Sequence, residues 1–152
     1  MSPDPNQYVA NIDGGARGNP GPAGWGVIVR TRDGAVAAEL FGAMPHATNN
    51  VAEYQGLIEA LTWCAGQGAR QVEIRSDSLL LVQQMRGVYK VKNEGLRPLH
   101  GQARLLAHKI GRVDFQHVPR EENKDADRLA NLAMDEAAEK VRSTKEELRR
   151  TE

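Results

Sequence analysis

Gln71-Val-Glu-Ile-Arg-Ser-Asp77 is the stretch on which the fold turns. Val72 and Ile74 alternate against Glu73 and Arg75, the period of a half-buried strand, and the run ends on an aspartate. Upstream the period is helical: Val51, Tyr54, Leu57, Ile58, Leu61 and Ala65 recur from Asn50 until Gly66 and Gly68 stop the helix. A strand reached through a helix suits parallel pairing with an earlier strand, since an antiparallel partner needs only a turn. The earlier strand is Tyr8 to Ile12, which delivers Asp13 to a glycine-rich stretch read as a loop from Gly14 to Gly24. A right-handed crossover sets the two strands side by side, with Asp13 and Asp77 beyond their carboxyl ends, where open sheets collect ligands.

The remaining elements fall around this pair. Trp25 to Arg32 and Ala35 to Gly42 flank Asp33-Gly34, a hairpin signal, so the chain opens as a three-strand meander. Ser78 to Arg86 reads as a helix broken by Gly87, and Leu96 to Ile110 as another. Arg112 to Val118 is a fifth strand stopped by Pro119. A last helix begins near Lys124, with Ala126, Leu129, Ala130 and Ala133 on one face. The order predicts an α/β fold, a mixed sheet flanked by helices. We expect one catalytic domain over 1–138 and, over 139–152, a charged helical extension or a disordered tail, with no internal repeat.

A chain of 152 residues can bury a core without disulfides. Its lone Cys64 sits in an apolar helical pattern and reads as a packed thiol in a reducing compartment, and Trp25 and Trp63 as core or partly buried residues. The start of the chain, Met1 to Gln7, has no basic-then-apolar run of signal-peptide type, and no stretch is long and apolar enough to span a bilayer. The expectation is a soluble, cytoplasmic monomer without membrane contact. Twenty basic residues balance twenty acidic ones, so net charge does not announce a nucleic-acid binder. Lys90, Lys92, Arg97, His100, Arg104, His108, Lys109 and Arg112 nevertheless cluster in one stretch, either a phosphate-facing patch or a solvated helix face.

Four carboxylates could converge: Asp13 and Asp77 from strand ends, and Glu53 and Asp127 from the first turns of helices. Such a cluster makes sense if divalent cations neutralise it, and magnesium prefers hard oxygen ligands. Each acid also has an ordinary reading. Asp77 could cap a helix, Asn50 and Glu53 have capping-box spacing, and Asp125 and Asp127 would favour a helix dipole. Spacing alone leaves both readings open.

Four segments alter the balance: Asn11 to Gly26 (NIDGGARGNPGPAGWG), Thr48 to Tyr54 (TNNVAEY), Arg75 to Ser78 (RSDS) and His117 to Ala130 (HVPREENKDADRLA). In sequence and in order they closely resemble the motifs of type 1 ribonucleases H. The resemblance covers about Tyr8 to Ala138. It implies a ribonuclease H-like fold, a five-stranded mixed sheet whose first three strands are antiparallel. It also implies endonucleolytic hydrolysis of the RNA strand of RNA–DNA hybrids, leaving 5′-phosphate and 3′-hydroxyl ends. Asp13, Glu53, Asp77 and Asp127 match the family's metal-binding carboxylates, for two Mg²⁺ ions or for Mn²⁺ in their place. Asp13 would serve both ions, with Glu53 and Asp77 on one and Asp127 on the other.

By the same resemblance Asn19, Asn49 and Asn50, with the close-approach backbone of Gly14 and Gly15, would contact the RNA strand. Thr48 and Asn93 would hold a DNA phosphate. Arg120 stands in a Val-Pro-Arg-Glu-Glu-Asn variant of the last motif and would reach the phosphate as a catalytic-site cation, while His117 reads as structural. Gly87 to Gly95 is too short for the basic protrusion some relatives carry, and Tyr89 beside it reads as either packing or a stacking side chain. The rival readings are a DNA-cutting nuclease of the same fold and a catalytically silent binding module.

Overall fold

The computed structural model describes residues 6–151. The stretch 1–5, part of the segment judged above for signal-peptide character, lies outside the described residues, as does residue 152. Strands β1 (Gln7–Ala16), β2 (Gly21–Thr31) and β3 (Val36–Ala47) come first, then α1 (Asn49–Gly66) and β4 (Gln71–Ser76). Two helices follow, α2 (Leu79–Met85) and α3 (Arg97–Ile110), then β5 (Arg112–His117), a 3-10 turn (Arg120–Glu122) and α4 (Lys124–Arg150). The sheet order is β3-β2-β1-β4-β5. β1 pairs antiparallel with β2 and parallel with β4, so the expected five-stranded mixed sheet is present and its first three strands are antiparallel.

The two sheet faces are dressed differently. Ile12, Val27, Val29, Val72 and Ile74 point into a core shared with Tyr54, Leu57, Leu61 and Cys64 of α1, and with Leu81, Val82 and Ala103 from α2 and α3. Each such aliphatic side chain contributes about 1.5–3 kcal/mol by leaving water. Tyr8 and Trp63 close its edge, rings at 82° and 5.3 Å apart. Burial drives the Cys64 thiol up to about 12, so it stays an unreactive packing group. The other face carries α4, whose Ala126, Leu129, Ala130 and Ala133 are buried beneath it.

Glycines explain where the strands depart from expectation. The loop predicted from Gly14 to Gly24 shrinks to residues 17–20, because β1 continues through Ala16 and β2 begins at Gly21. The glycines are paired in the ladder, Gly14 with Trp25 and Gly15 with Gly24, and they serve close approach more than turning. A Cβ on Gly14 would lie 2.5 Å from the backbone of Ala52 and Glu53, and one on Gly26 2.5 Å from the carbonyl of Ala126. Both helices therefore touch the sheet backbone to backbone beside Asp13. The turn at Gly34, with φ of +97°, closes the hairpin as expected.

The charged stretch beyond Ala138 continues α4 as helix to Arg150, with local ion pairs Lys140–Glu136 and Arg142–Glu139. Residues 86–96 join α2 to α3 without a helix. No helix among the described residues is long and apolar enough to cross a membrane.

Candidate active site

The β1–β4 ladder ends at Ile12 opposite Ser76, so the next residue on each strand, Asp13 and Asp77, leaves it at the same level. Asp13 is still within β1, paired across to Gly26, which holds its backbone rigid. Glu53, expected in the first turn of its helix, descends from the second turn of α1, because the helix starts earlier, at Asn49. One carboxylate oxygen from each of Asp13, Glu53 and Asp77 lies within 4.8 Å of the others. Asp127 of α4 interacts with the Asp13 carboxyl and lines the same cleft. Asp13 is thus the shared member, interacting with Glu53, Asp77 and Asp127. All four line one cleft of about 480 Å³, together with Gly14, Gly15, Asn49, Asn50 and Arg120.

The capping readings of Asp77 and Glu53 fail for local reasons, whereas Asp125 and Asp127 do lie in the first turn of α4. Helix α2 is capped by Ser78, whose hydroxyl accepts from Leu81 N–H at 3.2 Å, so Asp77 is released from capping. Helix α1 begins at Asn49, one residue earlier than expected, because Thr48 is its cap and accepts from Val51 N–H at 3.2 Å. Glu53 is therefore not the far end of a box opened by Asn50. In α4, Asp125 pairs with Arg30 at 2.7 Å while Asp127 turns to Asp13.

Two like charges about 5 Å apart repel by roughly 3 kcal/mol at an effective dielectric near 20. The strain is visible in the proton affinities. Burial first, then the charge of Asp77 and the contact with Asp127, push Asp13 up to about 8 against the Gly14 N–H, which opposes. Burial pushes Glu53 up to about 7, with Asp77 adding and the Ser78 hydroxyl and Arg120 opposing. Glu53 Oε2 is buried without any hydrogen-bond partner. A buried carboxylate oxygen left without a donor among like charges fits a divalent cation, and an all-oxygen donor set fits a hard one.

The expected substrate residues separate into three groups. Gly14, Gly15, Asn49 and Asn50 lie in the cleft, and Asn50 is exposed there. Asn19 and Thr48 build it from outside: Asn19 Oδ1 accepts from Asn49 N–H at 2.9 Å, and Asn49 Oδ1 accepts from Ala16 N–H at 2.7 Å. Asn93 is exposed and away from the cleft lining, its Oδ1 accepting from Gly95 N–H at 2.8 Å. Arg120 faces Glu53 from the 3-10 turn. His117 places Nε2 3.2 Å from the Asp77 carbonyl, a contact to backbone. Of the basic stretch, Lys90, Lys92, Arg97, Arg104, His108 and Lys109 are exposed, Arg112 pairs with Asp114, and His100 packs edge-on to Tyr54.

Asn123 was not anticipated as a functional residue. It is 1% exposed, accepts at Oδ1 from the Asn11 amide at 3.0 Å and donates Nδ2 to the Ile12 carbonyl at 2.9 Å. Its own carbonyl accepts from the Asp127 N–H at 3.0 Å, so one side chain ties the turn bearing Asp127 to the strand bearing Asp13. The available signal was only an asparagine between charged residues just before a helix start.

The family described as "Reverse transcriptase-like" matches residues 11–133. Among curated relatives, the "Bifunctional protein Rv2228c" of Mycobacterium tuberculosis is 50% identical over 134 residues, 88% of this chain and 37% of that protein. The "Ribonuclease HI" of Halobacterium salinarum is 41% identical over 138 residues, 90% of this chain and 69% of that protein. The chain spans about 37% of the length of the first curated relatives it matches. Among solved structures, the N-terminal RNase H domain of rv2228c from M. tuberculosis superposes with a TM-score of 0.87 at 48% identity, covering 89% of this chain and 98% of that one. LC11-RNase H1 in complex with an RNA/DNA hybrid superposes with a TM-score of 0.82 at 41% identity, covering 86% and 99%.

Proposed function

Since the chain belongs to the type 1 ribonuclease H family, we propose that it is an endonuclease that hydrolyses the RNA strand of RNA–DNA hybrids, leaving 5′-phosphate and 3′-hydroxyl ends. The observation that carries this reading is the meeting of Asp13, Glu53 and Asp77 within 4.8 Å, with Asp127 against Asp13. Asp13 would serve two Mg²⁺ ions, Glu53 and Asp77 holding one and Asp127 the other, with Mn²⁺ able to substitute. Divalent ions held there would supply activation of the attacking water and charge stabilisation for the departing 3′-oxygen.

The chain's own residues prepare that chemistry. The rigid β1 ladder and the packed start of α1 hold the carboxylates in place before substrate arrives, which is where positional catalysis comes from. Asn49 and Asn50 present amides at the cleft, groups that donate and accept and so can register the 2′-hydroxyl that distinguishes RNA from DNA. Gly14 and Gly15 line the cleft, and the missing Cβ of Gly14 lets α1 approach β1 closely enough to bring Glu53 to Asp13. Arg120 supplies positive charge beside Glu53 and cannot transfer a proton at neutral pH, so its part is electrostatic. Asn19 and Thr48 act by positioning α1, and Thr48 and Asn93 remain the candidates for holding a DNA phosphate. The protein acts in this reading as a cytoplasmic monomer.

The test is incubation with RNA–DNA, RNA–RNA, DNA–DNA and single-stranded RNA in Mg²⁺, Mn²⁺ or EDTA, beside Asp13→Asn. Metal-dependent cutting confined to the RNA of the hybrid and lost in Asp13→Asn is the expected result. Cutting of DNA–DNA, or hybrid binding without cutting, would overturn it.

A further inference from the structure

The cleft contains a second cation besides Arg120. Arg17 lines it at the end of β1, four residues beyond Asp13, and its N–H donates to the Pro22 carbonyl at 2.8 Å, which fixes the turn. Its guanidinium donates to Asp135 Oδ1 at 2.6 Å, and the two side chains are 47% and 64% exposed. Asp135 lies eight residues beyond Asp127 on the same helix, about 12 Å along its axis. A strand with its scissile phosphate over the carboxylates would pass this point as it leaves the cleft.

An ion pair this open to water is weakly held. The Asp135 contact occupies one donor of a guanidinium that has five, in a fork shaped for two oxygens. A phosphodiester offers those two oxygens. The cleft also needs cations: four carboxylates line it, a polyanion must enter it, and Arg120 beside Glu53 and Arg17 beside Asp135 are the arginines among the described residues lining it.

We propose that Arg17 is a substrate-binding residue that takes a backbone phosphate of the RNA strand flanking the cleavage site, and that Asp135 competes with that phosphate for the guanidinium. Asp135 sets the affinity: it holds Arg17 extended toward the cleft in the free protein and gives it up on binding. The inference rests on the ribonuclease reading of the same site and adds a residue and a counter-ion to it.

The experiment is steady-state cleavage of a hybrid in Mg²⁺ across roughly 50 to 200 mM salt, with wild type, Arg17→Ala, Arg17→Lys and Asp135→Asn, each checked by thermal melting. Arg17→Ala should raise KM about tenfold with kcat within about twofold, and should lower the slope of log KM against log salt by about 0.7 to 0.9, one phosphate contact. Arg17→Lys should recover part of the KM and all of the salt slope, since it keeps the charge but not the fork. Asp135→Asn should lower KM about two- to threefold. Wild type that leaves the hybrid intact overturns the ribonuclease reading and this inference with it. Wild type that cuts, with Arg17→Ala matching its KM and salt slope, overturns the Arg17 assignment alone. A higher KM in Asp135→Asn, equal to that of Arg17→Ala, makes the pair structural and overturns the competition.

Discussion

The side-chain amide of Asn123 donates to the carbonyl of Ile12 at 2.9 Å, one residue before Asp13, while the Asn123 carbonyl receives the N–H of Asp127 at 3.0 Å. The spacing of the Asp13 and Asp127 carboxylates therefore depends on a residue that touches neither. Asn123→Ala strands the Asn11 amide and the Ile12 carbonyl in a buried site and should cost about 2–4 kcal/mol. It should also weaken Mg²⁺ binding in calorimetry at a temperature where the variant is still folded. Loss of stability with unaltered Mg²⁺ affinity would show that Asn123 supports the fold and not the site.

The proton affinities predict how the metal-free protein responds to pH. Asp13, raised from 3.8 to about 8, and Glu53, raised from 4.5 to about 7, keep protons in the folded state that the unfolded chain has already released. Stability from these groups is complete below their unfolded values and is lost as pH rises through the folded ones. In EDTA, the melting temperature of wild type relative to Asp13→Asn should fall between about pH 5 and pH 8. Added Mg²⁺ should restore it most at the alkaline end, where the cluster is ionised. A difference that stays flat with pH in EDTA would refute the account.

Gly14→Ala tests the contact between β1 and α1. Its Cβ would meet the Ala52 carbonyl carbon and the Glu53 nitrogen at 2.5 Å, backbone that cannot rotate away. The helix must shift, at a cost of about 1–3 kcal/mol, and Glu53 moves with it. Chemical denaturation and hydrolysis rate should fall together. A variant with normal stability and rate would mean that α1 is looser against the sheet than its geometry implies.

Arg120→Ala should leave stability within about 0.5 kcal/mol, since the side chain is exposed. Arg120 holds the proton affinity of Glu53 down, so its loss lets that affinity climb. The acid limb of the kcat/KM profile should move to higher pH, with at least about a tenfold loss of kcat near neutrality. An unshifted limb would place Arg120 outside the electrostatics of the site.

Truncation after Ala138 addresses the domain boundary. Beyond it every described residue except Val141 is exposed, and the ion pairs are local to the helix. Melting should change by about 1 kcal/mol or less in stability terms, and kcat/KM should be unchanged. A large loss of either would extend the catalytic domain into the tail.

The sequence made most of the fold legible because hydrophobic period separates strand from helix, as in Val72 and Ile74 against Leu57, Ile58 and Leu61. It placed Asp13 beside Asp77 because a helix between two strands leaves parallel pairing as the economical arrangement. What it concealed were contacts across space. Gly24 read as a loop residue, yet it lies inside β2 where α4 presses on the sheet. Asn123 drew no reading of its own, yet its side chain, which makes no cap hydrogen bond, is committed to β1. Thr48 and Ser78 became caps in place of Asn50 and Asp77, a choice between adjacent polar residues that period cannot make.

β1 occupies the middle of the sheet although it is the first strand in the chain, and its last contributor, α4, comes after all the others. Synthesis from the N-terminus therefore makes the central element before the strand that flanks it on one side, and Asp13 long before Asp127. A nascent chain holds β1 with one neighbour until Ser76 has emerged, and carries an incomplete set of acids until the opening turns of α4 have followed. On the ribonuclease reading, a nascent chain cannot assemble the whole acid cluster until the opening turns of α4 have been made and have packed on the sheet.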